Sequence, residues 1–165
     1  THYLIKICDR LQIPFTSLVS PYAPETPECY SCSQARRRLL FQAAKEIGAT
    51  AIAFGHHRDD LVQTTLMNLL HKAEFSGMLP VLDMVHFGIT ILRPLIFTPE
   101  SLIKKFAKEH GFARVTCRCP VVSLRSKAEQ SLKMLEDFFP LARHNIALAV
   151  CENGSSKSQK EKIET

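Results

Sequence analysis

Two short stretches carry residue types that can do chemistry: Cys29-Tyr30-Ser31-Cys32 and Gly55-His56-His57-Arg58-Asp59-Asp60. A Cys-x-x-Cys where a loop runs into a helix lets both sulfurs face one ion. A second pair, Cys117-Arg118-Cys119, strengthens a metal reading, because cysteine pairs far apart in sequence can converge into a three- or four-sulfur site. Its spacing is tighter than a zinc knuckle's, which weighs slightly against zinc. The plain alternatives are reduced thiols without a ligand, or half of a zinc site.

The second stretch ends a hydrophobic run and puts two imidazoles and two carboxylates where a buried strand turns into a helix. Asp59 and Asp60 fall in the first helical turn, where acids are favoured anyway. Carboxylates there can also hold Mg2+ bound to a phosphate. Backbone N–H groups at the same helix end can hold a phosphate directly. Arg36-Arg37-Arg38 follows the first cysteine pair. A helix turns about 100° per residue, so the three cannot share a face. Arg36 falls one turn after Cys32 and is expected in the site; Arg37 and Arg38 are expected in solvent or on RNA phosphate. Arg114, Arg118, Arg125 and Lys127 form a second basic cluster.

These residues need elements to position them. The chain has 165 residues, 45% hydrophobic and 22% charged, with a net charge of +5. That is the balance of one globular domain, and its mild positive charge permits a nucleic-acid partner. No run approaches the ~18 apolar residues of a membrane span, and no leader resembles a signal peptide. The expected setting is cytoplasmic, where paired cysteines are metal or redox sites before they are disulfides. Thr1 to Leu11 reads as mid-helix, so the natural protein is expected to begin upstream.

Helical spacing of Tyr3, Leu4, Ile7 and Leu11 predicts a helix over 2–12. Phe15 to Ser20 is β-prone and reads as a strand. Pro21, Pro24 and Pro27 then force an extended loop that delivers Cys29. Ser33 is the expected N-cap of a helix to about Ile47, with Leu39, Leu40, Ala43, Ala44 and Ile47 as its apolar stripe. Gly48 ends it. Thr50 to Phe54 reads as a buried strand, and a helix over 58–72 follows, with Leu61, Thr65, Leu66, Leu69 and Leu70 facing inward. Residues 73–88 read as irregular and 89–94 as a strand. Thr98-Pro99-Glu100 starts a helix that stops at Gly111. Residues 124–150 form closing helices broken at Pro140, with Phe138-Phe139 as packing. Residues 151–165 read as a disordered tail. The alternation predicts one α/β domain over 1–150, a Rossmann-like parallel sheet with helices on both faces. Ligands of such sheets bind at the carboxyl ends of the strands.

Five stretches together resemble the PP-loop ATPase family of tRNA thiolation enzymes, in particular its 2-thiocytidine branch: CYSCSQARRRLLFQAAKEIGAT, AFGHHRDDLVQTTLMNLL, ILRPLIFTPESLIKKFAKEHGF, TCRCP and LKMLEDFFP. The resemblance implies that ATP adenylates the carbonyl oxygen of a tRNA anticodon-loop cytidine, and that sulfur then displaces AMP. It implies a [4Fe–4S] cluster held by Cys29, Cys32 and either Cys117 or Cys119, with one iron open to carry sulfide. Arg36, Asp59 and Asp60 match the catalytic positions, and Gly55 and His56 the nucleotide-proximal turn. Mg2+, a sulfur donor (a cysteine desulfurase or sulfide) and a homodimer come with the family. An unpaired base can be splayed into a pocket.

The sequence departs from the family pattern in two places. The phosphate-binding Ser-Gly-Gly-x-Asp-Ser loop is not in the sequence. It would lie on a strand upstream of Thr1, so that the domain reads as N-terminally truncated and should bind ATP weakly as it stands. The Cys-x-Cys replaces a wider pair. A 2-thiouridine synthetase of the same superfamily, a zinc-binding module that docks on RNA or a partner, and a lysidine-type adenylating enzyme are the rival readings.

Overall fold

In the computed structural model, residues 2–20, 29–112 and 124–153 are described. Cys117, Cys119 and the loop carrying Pro21, Pro24 and Pro27 lie outside them, as do residues 154–165 of the expected tail. Among the described residues six helices and three strands follow in the order α1 (His2–Arg10), α2 (Cys29–Glu46), β1 (Ala51–Ala53), α3 (Arg58–Lys72), β2 (Val81–Met84), β3 (Ile89–Leu92), α4 (Glu100–Glu109), α5 (Leu124–Phe138) and α6 (Ala142–Asn153).

The sheet order is β1-β3-β2. β1 and β3 are parallel, with Ala53 opposite Leu92. β2 pairs antiparallel with β3, Val81 opposite Leu92. This strand falls where the sequence reading has irregular chain, because four residues after Pro80 carry too short a pattern to announce a strand. A 3-10 turn over Val85–Phe87, closed by Gly88 at φ 61°, makes the hairpin connection. Residues 15–20, expected to form a strand, belong to no strand of the described sheet, and Val19 is exposed. A β-prone run becomes a strand only where a neighbour takes its hydrogen bonds.

α2 starts at Cys29, four residues before the expected cap Ser33, since nothing in Cys-Tyr-Ser-Cys breaks a helix. It ends where Gly48 adopts φ 72°. Of the expected stripe Ala44 is buried, and Phe41 joins it in place of Leu40 and Ile47. Phe41 and Ala44 pack with Ile89 and Ile91 of β3, whereas Leu40 and Ile47 are exposed. The second core joins α3, α5 and α6 through Leu61, Val62, Leu132, Ala147 and Val150, together with Ile96. Leu69 and Leu70, expected inside, face out at the end of α3, as do Phe138 and Phe139 at the end of α5. Gly77 is needed here: a Cβ would lie 2.5 Å from Thr65 Oγ1 and 2.9 Å from Val150 Cγ1, inside van der Waals contact.

Candidate functional site

In parallel α/β units the helices run back against the strands, so the heads of α2 and α3 and the ends of β1 and β3 share the carboxyl edge of the sheet. Cys29 opens α2, and Cys32 lies one turn further as a half-buried free thiol. Arg36 is exposed one turn beyond. Thiol donors at a helix head suit a thiolate-bound metal or iron–sulfur centre. Among the described residues no group of three His, Cys, Asp or Glu side chains forms a metal site; Cys117 and Cys119 lie outside them, so the convergence of the two cysteine pairs is not described.

β1 delivers Gly55 and His56. Gly55 is exposed, and no atom lies within 4 Å of the position a Cβ would take. Packing does not demand glycine there, and a ligand can approach the backbone closely. His56 stacks at 5.4 Å on Phe54, and its Nδ1 is buried without a hydrogen-bond partner. Burial holds its pKa below the usual 6.5; Arg93, Arg37 and Arg125 add to this and Asp60 opposes it. An open glycine and an orphaned ring nitrogen fit a nucleotide beside this turn.

His57 caps α3. The Asp60 N–H donates to His57 Nδ1 at 3.4 Å, and the His57 N–H donates to Asp60 Oδ2 at 3.1 Å. This reciprocal pair satisfies two donors that the helix start leaves free. Asp60 also takes Arg125 of α5 at 2.7 Å on Oδ1.

Asp59 is buried to the same degree and takes a different set of partners. Its Oδ1 accepts from Arg143 of α6 at 2.9 Å. Its Oδ2 accepts the Glu100 N–H at 2.7 Å, capping α4 from outside; Pro99 at the N-cap has no side-chain donor or acceptor to do it. Arg143 is buried and meets two more carboxylates of α5, Glu129 Oε1 at 2.9 Å and Glu136 Oε1 at 2.9 Å. Burial opposes its charge, but the hydrogen bonds to Glu129 and Glu136 outweigh that and raise its pKa. For Glu129 burial is likewise outweighed, by hydrogen bonds from Arg143 and Gln63 that lower its pKa. One guanidinium thus ties α3, α5 and α6, and Asp59 ties them to α4.

Each of the four Asp59 and Asp60 oxygens therefore faces an N–H or guanidinium donor. That set does not suit Mg2+, which wants oxygens facing the ion. Sequence reasoning passed over Arg143 and Arg93. The signal for Arg143 is its place one turn before Ala147 and two before Val150, on the buried face of α6. The signal for Arg93 is an arginine at a strand end, fixed by the following Pro94.

Residues 2–116 match the PP-loop domain family. The chain is 36% identical over 124 residues to a tRNA-cytidine(32) 2-sulfurtransferase of Paraburkholderia phymatum, covering 70% of this chain and 37% of that one. The protein of the same name in Burkholderia mallei is also 36% identical, with 38% of its length covered. The chain thus spans well under half the length of these relatives. Among solved structures, the U34-tRNA thiolase NcsA from Methanococcus maripaludis, with its [4Fe-4S] cluster, has a similar fold, with a TM-score of 0.72, 20% identity, and 90% of this chain and 53% of that one covered. No helix among the described residues is long and apolar enough to cross a membrane. The match over most of its length, on an α/β sheet with its reactive groups at the carboxyl edge, shows that the chain belongs to the PP-loop domain family.

Proposed function

We propose that the whole protein is an ATP-dependent tRNA sulfurtransferase that activates a cytidine of the anticodon loop and replaces its carbonyl oxygen with sulfur. The observation that carries this reading is the free Cys32 thiol in the first turn of α2, at the same sheet edge as the Gly55–Asp60 turn. The tRNA-cytidine(32) 2-sulfurtransferases at 36% identity support it.

Cys29 and Cys32, with Cys117 or Cys119, hold a [4Fe–4S] cluster, which when bound supplies an open iron that can present sulfide to an activated carbon. Gly55 leaves room for the nucleotide against the backbone, and His56 offers its free Nδ1. Adenylation turns the pyrimidine oxygen into a leaving group, and AMP carries it away. Asp60, held by His57 and by the more exposed Arg125, is the acid assigned to the reacting groups. Asp59 is a positioning residue: it fixes the heads of α3 and α4 through Arg143 and the Glu100 N–H. Arg36, exposed one turn beyond Cys32, stands close to the activated base or its phosphate. The sulfur donor is sulfide or a cysteine desulfurase, and the protein works as a homodimer in the cytoplasm.

The test is nucleoside mass spectrometry. Whole protein purified without oxygen is incubated with ATP, sulfide and unmodified tRNA. 2-Thiocytidine is the expected product, absent in Cys32→Ser. 2-Thiouridine alone moves the protein to the neighbouring branch; no thiolated nucleoside from iron-loaded protein overturns the reading.

A further inference from the structure

Among the described residues, the carboxyl edge holds more positive charge than its acidic corner answers. Ala53 lies opposite Leu92 in parallel register, and the Phe54 N–H donates to the Leu92 carbonyl at 2.9 Å. Gly55 and His56 therefore leave β1 alongside Arg93 as it leaves β3. The third group comes from α2. Arg37 lies one turn ahead of Phe41, which is buried against Ile89 and Ile91, and residues four apart share a helix face. Arg37 is thus on the sheet-facing side of α2 at the same edge, whereas Arg36 precedes the exposed Leu40.

The charges reach one another. Burial first, and then Arg37, lowers the pKa of Arg93. Arg125 also faces this group, but Asp60 answers it at 2.7 Å. No ion pair among the described residues includes Arg37 or Arg93. One Arg93 terminal nitrogen donates to the Leu79 carbonyl at 2.6 Å, which aims the guanidinium. Its Nε is buried without a partner, as is Nδ1 of His56. Buried donors are ordinarily satisfied, and orphans at one sheet edge ask for an acceptor. Two guanidiniums with no carboxylate partner among the described residues suit a group that brings two negative charges.

We propose that Arg37, Arg93 and His56 form a binding site for a dianionic phosphoryl group, either a phosphate monoester or pyrophosphate. Paired guanidiniums recognise such oxyanions by charge-assisted hydrogen bonds. A backbone phosphodiester brings one charge per phosphate and leaves one guanidinium unanswered. The site deepens the proposed function and rests on it only for which molecule brings the phosphate; adenylation of a base releases pyrophosphate and then a phosphate monoester, AMP.

Calorimetric titration of the whole protein with pyrophosphate tests this, without tRNA or iron. Arg37→Gln, at an exposed position that leaves the fold intact, is compared with Arg38→Gln, its neighbour of equal charge, and with Arg93→Gln. The expected result is a loss of about tenfold or more in pyrophosphate affinity for Arg37→Gln and for Arg93→Gln, with Arg38→Gln within about twofold of the parent. Equal affinities for Arg37→Gln and Arg38→Gln overturn the site, whether or not Arg93→Gln folds. A loss seen only with a short single-stranded RNA lacking terminal phosphates overturns it in favour of backbone tracking. Protein that makes no 2-thiocytidine yet loses pyrophosphate in Arg37→Gln refutes thiolation alone, leaving the site.

Discussion

α4 and α6 are helices of similar length with opposite histories. α4 has the cleaner amphipathic pattern, yet Leu102 and Phe106 on its apolar side are more than half exposed. α6 shows almost no amphipathic pattern, yet Val150 is fully buried and Ala147 is 3% exposed. The difference lies in Arg143, a charged residue on the buried face of α6. It looks polar in sequence and is internal in space because Asp59, Glu129 and Glu136 surround it. Burial here follows partners rather than pattern: α6 has α3 and α5 to pack on, and α4 has no comparable neighbour among the described residues.

The comparison breaks most readily at Arg143. Arg143→Ala leaves three carboxylates without their shared cation, and removing one member of a buried ion pair costs about 3–5 kcal/mol. Urea unfolding should show that loss; a change under about 1 kcal/mol would mean the cluster is solvated. Leu132→Ala comes next. Leu132 is fully buried in the α3–α5–α6 core, and the cavity should cost about 2–5 kcal/mol. A result equal to that of Phe106→Ala in α4 would erase the contrast between the two regions.

Acid should weaken the well-packed side further. Glu129 is held below its usual 4.5 in the folded chain, so its contribution is present above that pH and lost as pH falls through its lowered folded value. His56 is held below its usual 6.5, so the unfolded chain binds the extra proton and stability rises as pH climbs through that region. Thermal midpoints followed from pH 7 downward should fall, and His56→Asn should flatten the upper part of that fall. A midpoint independent of pH above about 5 contradicts the buried neutral imidazole. The smallest effect belongs to α1: Leu4→Ser, on a half-exposed position, should change stability by no more than about 0.5 kcal/mol.

Much of this could be read in the sequence. The helix over 58–72, its acidic first turn, the Gly48 stop and the break at Pro140 follow from local rules, because caps, glycine and proline act within a few residues. What escaped reading depends on distant partners. β2 is a strand because β3 pairs with it, whereas 15–20 joins no strand of the described sheet. The buried stripe of α2 keeps the expected Ala44 but steps round to Phe41 from the expected Leu40 and Ile47. That same step brings Arg37, rather than Arg36, to the sheet edge. The acidic pair splits in roles for the same reason: Asp59 and Asp60 are neighbours in sequence, but Arg143 claims one and Arg125 the other. No spacing rule reaches across 84 residues to join Arg143 with Asp59.

Iron and acid-labile sulfide, measured on the whole protein purified without oxygen, decide whether these cysteines hold a cluster. The parent should carry a cluster; Cys29→Ser and Cys32→Ser should each lose it, and so should one of Cys117→Ser and Cys119→Ser. Full iron retained in Cys32→Ser, or a single zinc with no iron in the parent, would contradict the account.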